Sequence, residues 1–86
     1  MKLLEIEWDS QIIQRFVVKN VKTFETKLSE IRKLIIADRF IFVSRDGKPV
    51  SRENEMKFNL MSIRSSQNSY IFKIKIKTEG IYAPFA

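Results

Sequence analysis

Apolar and polar residues alternate along the first part of the chain in two short runs. In residues 4–8, apolar side chains alternate with glutamates, which is the period-two pattern of a strand with one buried face. Residues 12–18 are rich in β-branched and aromatic side chains, and Asp9 and Ser10 between the two runs favour turns. This pattern predicts a β-hairpin.

The spacing of apolar residues lengthens in the next segment. Phe24, Leu28, Ile31 and Ile35 recur at helical spacing, and Leu34 widens the apolar stripe. Side chains at this spacing share one face of an α-helix. The pattern predicts a single helix over residues 23–36.

Strand patterns return after the predicted helix. Residues 40–43 are apolar and β-prone, and Asp46-Gly47 favours a tight reversal into a return strand at residues 48–50, which proline confines to a sheet edge. Residues 70–77 form the most regular amphipathic strand in the chain. We therefore expect an α+β domain of order ββαβββ, in which one helix packs across a mixed four- to five-stranded sheet with a central last strand.

Length and composition narrow the range of functions. The chain has 86 residues and contains neither cysteine nor histidine. This length predicts one small domain, which we expect to span residues 1–78, with residues 79–86 as a C-terminal tail or the boundary of a fragment. Thiol chemistry, cysteine zinc sites and the commonest general base are all missing.

The remaining polar residues do not form a catalytic pattern. No two carboxylates are spaced so that they are forced together in an apolar setting, and Gly47 stands outside any glycine-rich phosphate loop. We predict no enzymatic activity, no cofactor and no metal site.

The order and spacing of the elements resemble those of the ubiquitin-like β-grasp superfamily over roughly residues 3–77. The resemblance is carried by residues 38–42, 47–50, 58–63 and 70–77, which look like ubiquitin's arginine-led apolar strand, Gly-Lys hairpin, short loop-helix and last strand. It implies a β-grasp fold and a binding role, since many unrelated binding modules share this shape.

Two departures separate this chain from the conjugated members of that superfamily. Conjugated modifiers end in a diglycine just past the last strand, whereas the tail here holds one glycine, Gly80, followed by bulky residues. Ile41 matches the isoleucine of ubiquitin's apolar recognition patch, but Lys73 and Lys75 take outward positions on the last strand. Desolvating two ammonium groups is costly, so we expect neither conjugation nor binding by ubiquitin receptors.

The formal charge of +6 is concentrated in the middle of the chain. Residues 11–48 hold nine basic and four acidic side chains, hence a charge of +5. In β-grasp domains the second strand lies at a sheet edge beside the helix. The predicted partner-binding residues are the basic residues along this edge and an apolar anchor on the sheet face: Arg15, Lys19, Lys22, Lys27 and Ile41, with Arg32 as a further candidate.

Ras-association domains share the β-grasp fold and pair a basic edge strand with an acidic strand of a small GTPase. The resemblance therefore implies a protein partner with an acidic surface, such as a small GTPase. Binding would occur by β-augmentation, and charge would raise the association rate.

Three alternatives stay open at the level of sequence. Lysine on an edge strand is a common guard against aggregation. Doublecortin-type domains, another basic β-grasp family, bind the acidic surface of microtubules, which makes tubulin a second partner. Nucleic acid is the less favoured polyanion, because the phenylalanines lie mainly at core positions and not on a basic stacking face.

The sequence suggests acidic partners within the domain for the lysines of the last strand. Lys73, Lys75 and Lys77 share its outer face, and the first strand is expected beside it with Glu5 and Glu7 on the same face. Opposite charges on neighbouring strands attract. We expect these glutamates to neutralise much of the lysine ladder.

The sequence shows no apolar run that is long enough for a signal peptide or a membrane crossing. We expect an intracellular, cytoplasmic adaptor or scaffold domain that is part of a larger protein. Under the microtubule alternative it would associate with the cytoskeleton.

Overall fold

The computed structural model describes residues 2–66 and 68–79. Within them the strands are β1 (Lys2–Trp8), β2 (Gln11–Val18), β3 (Phe40–Val43) and β4 (Ile71–Thr78). The α-helices are single turns, α1 (Leu28–Ile31) and α2 (Leu60–Ile63). The 3₁₀ turns, numbered in chain order, are Val21–Glu25, Arg32–Leu34 and Asn54–Met56. The expectations for Gly80 and the rest of residues 80–86 lie outside the described residues.

The strands form one mixed sheet in the order β2-β1-β4-β3. β1 is antiparallel to β2 and parallel to β4, and β3 is antiparallel to β4. The predicted α+β class and mixed sheet with an interior last strand are confirmed. The return strand predicted at residues 48–50 is reduced to one bridge between Val43 and Pro49. The N–H of Ser44 donates to the carbonyl of Lys48, and the N–H of Val50 donates to the carbonyl of Phe42. The position without an N–H at Pro49 therefore faces away from β3, as suits an edge.

Both tight reversals form where the sequence predicts them. Asp9 and Ser10 join β1 to β2 with φ angles of 51° and 66°, and two positive φ values suit the twist of a two-residue hairpin. Gly47 has a φ of 84°, and its N–H donates to the carbonyl of Ser44 at 2.9 Å. Among the named strands, β2 and β3 lie at the two edges of the sheet.

The core lies between one face of the sheet and the helical segments. Phe24 stacks on Phe72 of β4 with ring centroids 4.3 Å apart. The apolar stripe predicted for the helix is buried at Phe24, Leu28, Ile31 and Ile35. Leu34, in contrast, is 56% exposed. The apolar spacing therefore identified four core positions but not the fifth.

The single continuous helix predicted over residues 23–36 is wrong. Thr26 is extended, with a ψ of 137°, and separates the first 3₁₀ turn from α1. Its carbonyl accepts from the N–H of Leu60 at 3.2 Å, and the N–H of Leu28 donates to the carbonyl of Phe58 at 2.9 Å. Pairing with the neighbouring segment thus takes the backbone groups that a continuous helix would use internally.

Arg32 ends α1 with a buried ion pair. Its guanidinium donates to both carboxylate oxygens of Glu55 at 2.8 and 2.7 Å, and to the carbonyl of Phe40 at 2.8 Å. The guanidinium carbon lies 4.1 Å from the centre of the Phe40 ring, and Glu55 is only 2% exposed. The assignment of Arg32 to the basic edge is wrong, because the fold uses this charge internally.

Candidate protein-binding edge

Among residues 2–66 and 68–79, the second strand has one neighbour in the sheet, and no described strand lies along its other edge, which we call the free edge. The N–H of Leu3 donates to the carbonyl of Tyr70 at 2.9 Å, so the backbone groups of Leu3 face β4. Backbone groups alternate direction along a strand, and Leu3 and Glu5 pair with Val17 and Arg15. The backbone N–H and C=O groups of Arg15 and Val17 therefore point away from the sheet.

Side chains along this edge alternate between two environments. Arg15 and Val17 project from the outer face, where Val17 is 55% exposed. Phe16 and Val18 project from the inner face toward α1, and Val18 is buried. A strand that paired with this edge would have one face over a basic and apolar surface and the other over the helical segment.

Gln14 joins the edge strand to the second 3₁₀ turn. Its Nε2 donates to the carbonyl of Leu34 at 2.9 Å, and its Oε1 accepts from the N–H of Ile36 at 2.8 Å. Two hydrogen bonds from one side chain fix the distance between β2 and the chain that follows α1. Leu34 and Ile36 are held beside the edge with exposures of 56% and 87%.

A groove of about 180 Å³ lies between β2 on one side and, on the other side, the segment formed by α1 and the second 3₁₀ turn. Its apolar walls come from residues of both sides, and Lys19 and Thr23 add polar atoms to the lining. The apolar residues that line it are Leu4, Phe16, Val17, Val18, Ile31 and Leu34. The groove therefore opens directly beside the free edge.

The structure places three of the predicted basic residues along β2 and the turn that follows it. Arg15 and Lys19 lie four residues apart along β2 and its end, and Lys22 follows in the first 3₁₀ turn. Lys19 and Lys22 are exposed. Arg15 donates from Nε to Glu5 at 2.9 Å while its side chain stays 62% exposed, so its charge is only partly compensated.

The other two predicted residues lie elsewhere. The Nζ of Lys27 donates to the carbonyl of Lys57 at 3.1 Å, which turns this side chain toward the loop before α2. Ile41 lies on β3, at the opposite edge of the sheet from β2. Three strand spacings separate these edges, about 14 Å, so a single added strand cannot contact both β2 and Ile41.

The lysine ladder is neutralised at one position among the described residues. Lys73 pairs with Glu7 at 3.6 Å, as expected. Glu5, however, pairs with Arg15 on the other side of β1. Lys75 and Lys77 are exposed, and no ion pair found within residues 2–66 and 68–79 involves them.

The groove was not predicted from the sequence, although a signal for it exists. Val17 and Val18 are adjacent apolar residues in a strand, and a strand that is solvated on one face alternates instead. The adjacent pair indicates that both faces of β2 carry apolar contacts. Leu34 was assigned to the buried stripe, and only the break of the helix at the second 3₁₀ turn leaves it beside β2.

The Asp46 carboxyl group has a shifted pKa. The Ser44 hydroxyl, which donates to the carboxylate of Asp46, lowers the pKa of Asp46 below its usual value, with further lowering from a backbone N–H and from Lys48. This group lies in the turn after β3, away from β2. Elsewhere in the part of the chain described, no three carboxylates gather at one point. No described helix is long and apolar enough to span a bilayer.

Comparisons with protein-family models, with curated proteins and with solved structures found no match to this chain.

Proposed function

We propose that this chain is a ubiquitin-like β-grasp domain that serves as a non-catalytic protein-interaction module. Its partner is a protein with an acidic surface, which adds a strand to the free edge of β2. The sheet order, with the last strand beside and parallel to the first, is compatible with a β-grasp. The division of the predicted helix into short turns is a departure from that fold.

The observation that carries the proposal is the outward-facing backbone of Arg15 and Val17. Unpaired N–H and C=O groups at a sheet edge are a template for another strand. Basic side chains beside that edge attract an acidic partner and raise the rate of encounter. An acidic strand of a small GTPase has this chemistry.

The apolar surroundings argue against a purely protective role for these lysines. A guarded edge is usually covered or carries charged side chains. Here Val17, Leu34 and Ile36 are exposed beside the edge. Exposed apolar side chains next to an open edge favour association, and so support a binding surface.

Binding of a polyanion is the second candidate. Lys75 and Lys77 are exposed on the outer face of β4, where they could contact nucleic acid or the acidic surface of a microtubule. Such binding depends steeply on salt, because it releases condensed counterions. Strand addition with apolar contacts depends on salt less.

Charge reversal separates the two candidates. The probe is an acetylated and amidated peptide, SVDVTVDS, whose aspartates are spaced as Arg15 and Lys19 are. We expect Lys19→Glu with Lys22→Glu to weaken binding of this peptide about tenfold, because attraction becomes repulsion at two positions. The matched control reverses two exposed lysines far along the chain from β2, Lys57→Glu with Lys77→Glu, and should change the affinity less than about twofold.

The same variants are measured with oligothymidine and with microtubules at about 50 and about 200 mM salt. Equal weakening of peptide binding by both double reversals would show that only net charge matters, and would overturn the β2 proposal. Tight binding of either polyanion that is lost steeply with salt and depends on Lys77 would favour the second candidate.

A further inference from the structure

The groove beside β2 is large enough for one apolar side chain. Its volume is about 180 Å³. An engineered protein cavity of about 150 Å³, lined by aliphatic and aromatic residues, binds benzene. The groove therefore has room for a branched aliphatic side chain or a single aromatic ring.

The position of the groove matches the geometry of strand addition. Side chains of an added strand alternate between the two faces of the sheet. On the outer face they would meet Arg15 and Val17, and on the inner face they would enter the groove beside Phe16 and Val18, with Val17 also contributing to the groove lining. Side chains at alternate positions of the partner strand would therefore contact different surfaces.

The chemistry of the two faces predicts which types of side chain the partner strand carries. The groove walls are apolar, and burial of an aliphatic side chain there stabilises the complex. The outer side carries the partly compensated charge of Arg15, and the exposed Lys19 lies at the end of β2, where it also contributes to the rim of the groove. A carboxylate opposite these cations is favoured, whereas a basic side chain is repelled.

We propose that β2 and the groove together bind an extended peptide segment in which aliphatic and acidic residues alternate, with one aliphatic side chain in the groove. This inference rests on the proposed function and names the partner's chemistry. A second copy of the chain is a poorer occupant, because pairing β2 with β2 would place Arg15 and Lys19 of both copies at one interface.

The test compares the parent peptide SVDVTVDS with two altered peptides. In STDTTTDS, threonine replaces each valine, which keeps the β-branched shape but removes the apolar group. In the second peptide, two consecutive central residues of the parent are N-methylated, which removes one donor from each edge of the peptide strand. Binding is followed by the amide NMR shifts of Arg15 and Val17 in the complete chain.

Two variants of the protein probe the groove itself. Leu34→Ser removes an apolar wall residue that is already 56% exposed, and Met56→Ser is its control, since Met56 is 70% exposed on the third 3₁₀ turn and does not line the groove. We expect the threonine peptide and Leu34→Ser each to weaken binding about tenfold. Met56→Ser should change binding less than about twofold. Thermal melts of both variants check that the fold is retained.

The outcomes distinguish the groove from the edge. If the parent peptide shifts Arg15 and Val17 and loses binding on N-methylation, but binds equally with threonine and to Leu34→Ser, the groove proposal is wrong and strand addition stands. If the peptide leaves these amides unshifted, or binds equally when N-methylated, both proposals fail. Concentration-dependent shifts of the same amides without peptide would identify a second copy as the occupant and overturn the acidic-peptide assignment.

Discussion

Arg32 and Glu55 form an ion pair with two hydrogen bonds inside the domain, at 2.7 and 2.8 Å, and the Arg32 guanidinium lies over the ring of Phe40. This contact ties the end of α1 to the third 3₁₀ turn and to β3. The removal of one partner of a buried pair leaves an uncompensated charge, which is more costly than the loss of the pair as a whole. The pair therefore holds the helical segment that forms one wall of the groove.

Glu55→Leu should destabilise the domain by about 3 kcal/mol, because the Arg32 guanidinium loses its carboxylate in a buried setting. Arg52→Ala is the matched control. Arg52 also approaches Glu55, at 3.9 Å, but its side chain is 56% exposed, so we expect a loss of less than about 1 kcal/mol. Urea unfolding monitored by circular dichroism measures both. Equal stability of the two variants would contradict the structural role of the pair.

Gln14→Ala should release the chain that follows α1 from β2. The N–H of Ile36 donates to the side chain of Gln14, so hydrogen exchange at Ile36 should accelerate when that acceptor is removed. The global free energy of unfolding should fall by about 1–2 kcal/mol for two lost hydrogen bonds. Gln11→Ala, at the exposed start of β2, serves as the control and should leave exchange at Ile36 unchanged. Unchanged exchange in Gln14→Ala would show that this contact does not hold the segment.

Gly47→Ala should destabilise the turn after β3 by roughly 1–2 kcal/mol, because a side chain disfavours the left-handed region. A Cβ atom at this position would meet no atom within 4 Å, so the effect comes from the φ of 84° and not from a clash. Gly47→Asn should lose less stability, since asparagine tolerates this conformation better. Urea unfolding of the two variants tests whether Gly47→Asn is the more stable. Equal stability of Gly47→Ala and the unaltered chain would rule out the conformational cost.

The Asp46 carboxyl should titrate below its usual range in the folded domain, because the Ser44 hydroxyl stabilises the ionised form. A pKa that is lower in the folded than in the unfolded chain stabilises the fold above the unfolded-state pKa. This contribution is lost as the pH falls through the folded-state pKa. A ¹³C NMR titration measures the midpoint. Ser44→Ala should raise it toward the ordinary value of about 3.9, and an identical midpoint in both proteins would contradict the assigned cause.

The strands and turns could be predicted from the sequence because their signals are local. Period-two alternation marks residues 70–77, and Asp46-Gly47 supplies the positive φ that the reversal needs. The prediction of one continuous helix failed because a contact between residues far apart in the sequence breaks the helix. The spacing of Phe24 and Leu28 marks the buried face correctly, but pairing of Thr26 with Leu60 breaks the helix between them. Leu60 lies far from Thr26 along the chain, so the local sequence around residue 26 could not reveal this pairing.

The candidate site was predicted only in part, for a related reason. The position of β2 at an edge was implied by the resemblance to β-grasp domains, and the basic charge of Lys19 is visible in the sequence itself. The groove depends on where Leu34 lies after the helix breaks, and on the bonds of Gln14 that hold it there. Likewise, Arg32 looks like a solvated cation in the sequence, because its partner Glu55 lies 23 residues away.

Hydrogen exchange at the β2 edge tests strand addition most directly. The amides of Arg15 and Val17 face outward, so an added strand would accept from them and slow their exchange. With peptide SVDVTVDS at about ten times its Kd, we predict that exchange at both positions slows about tenfold, because only the free fraction exchanges. The N-methylated peptide should give no such protection. Unchanged exchange at Arg15 and Val17 under saturating parent peptide would contradict binding through this edge.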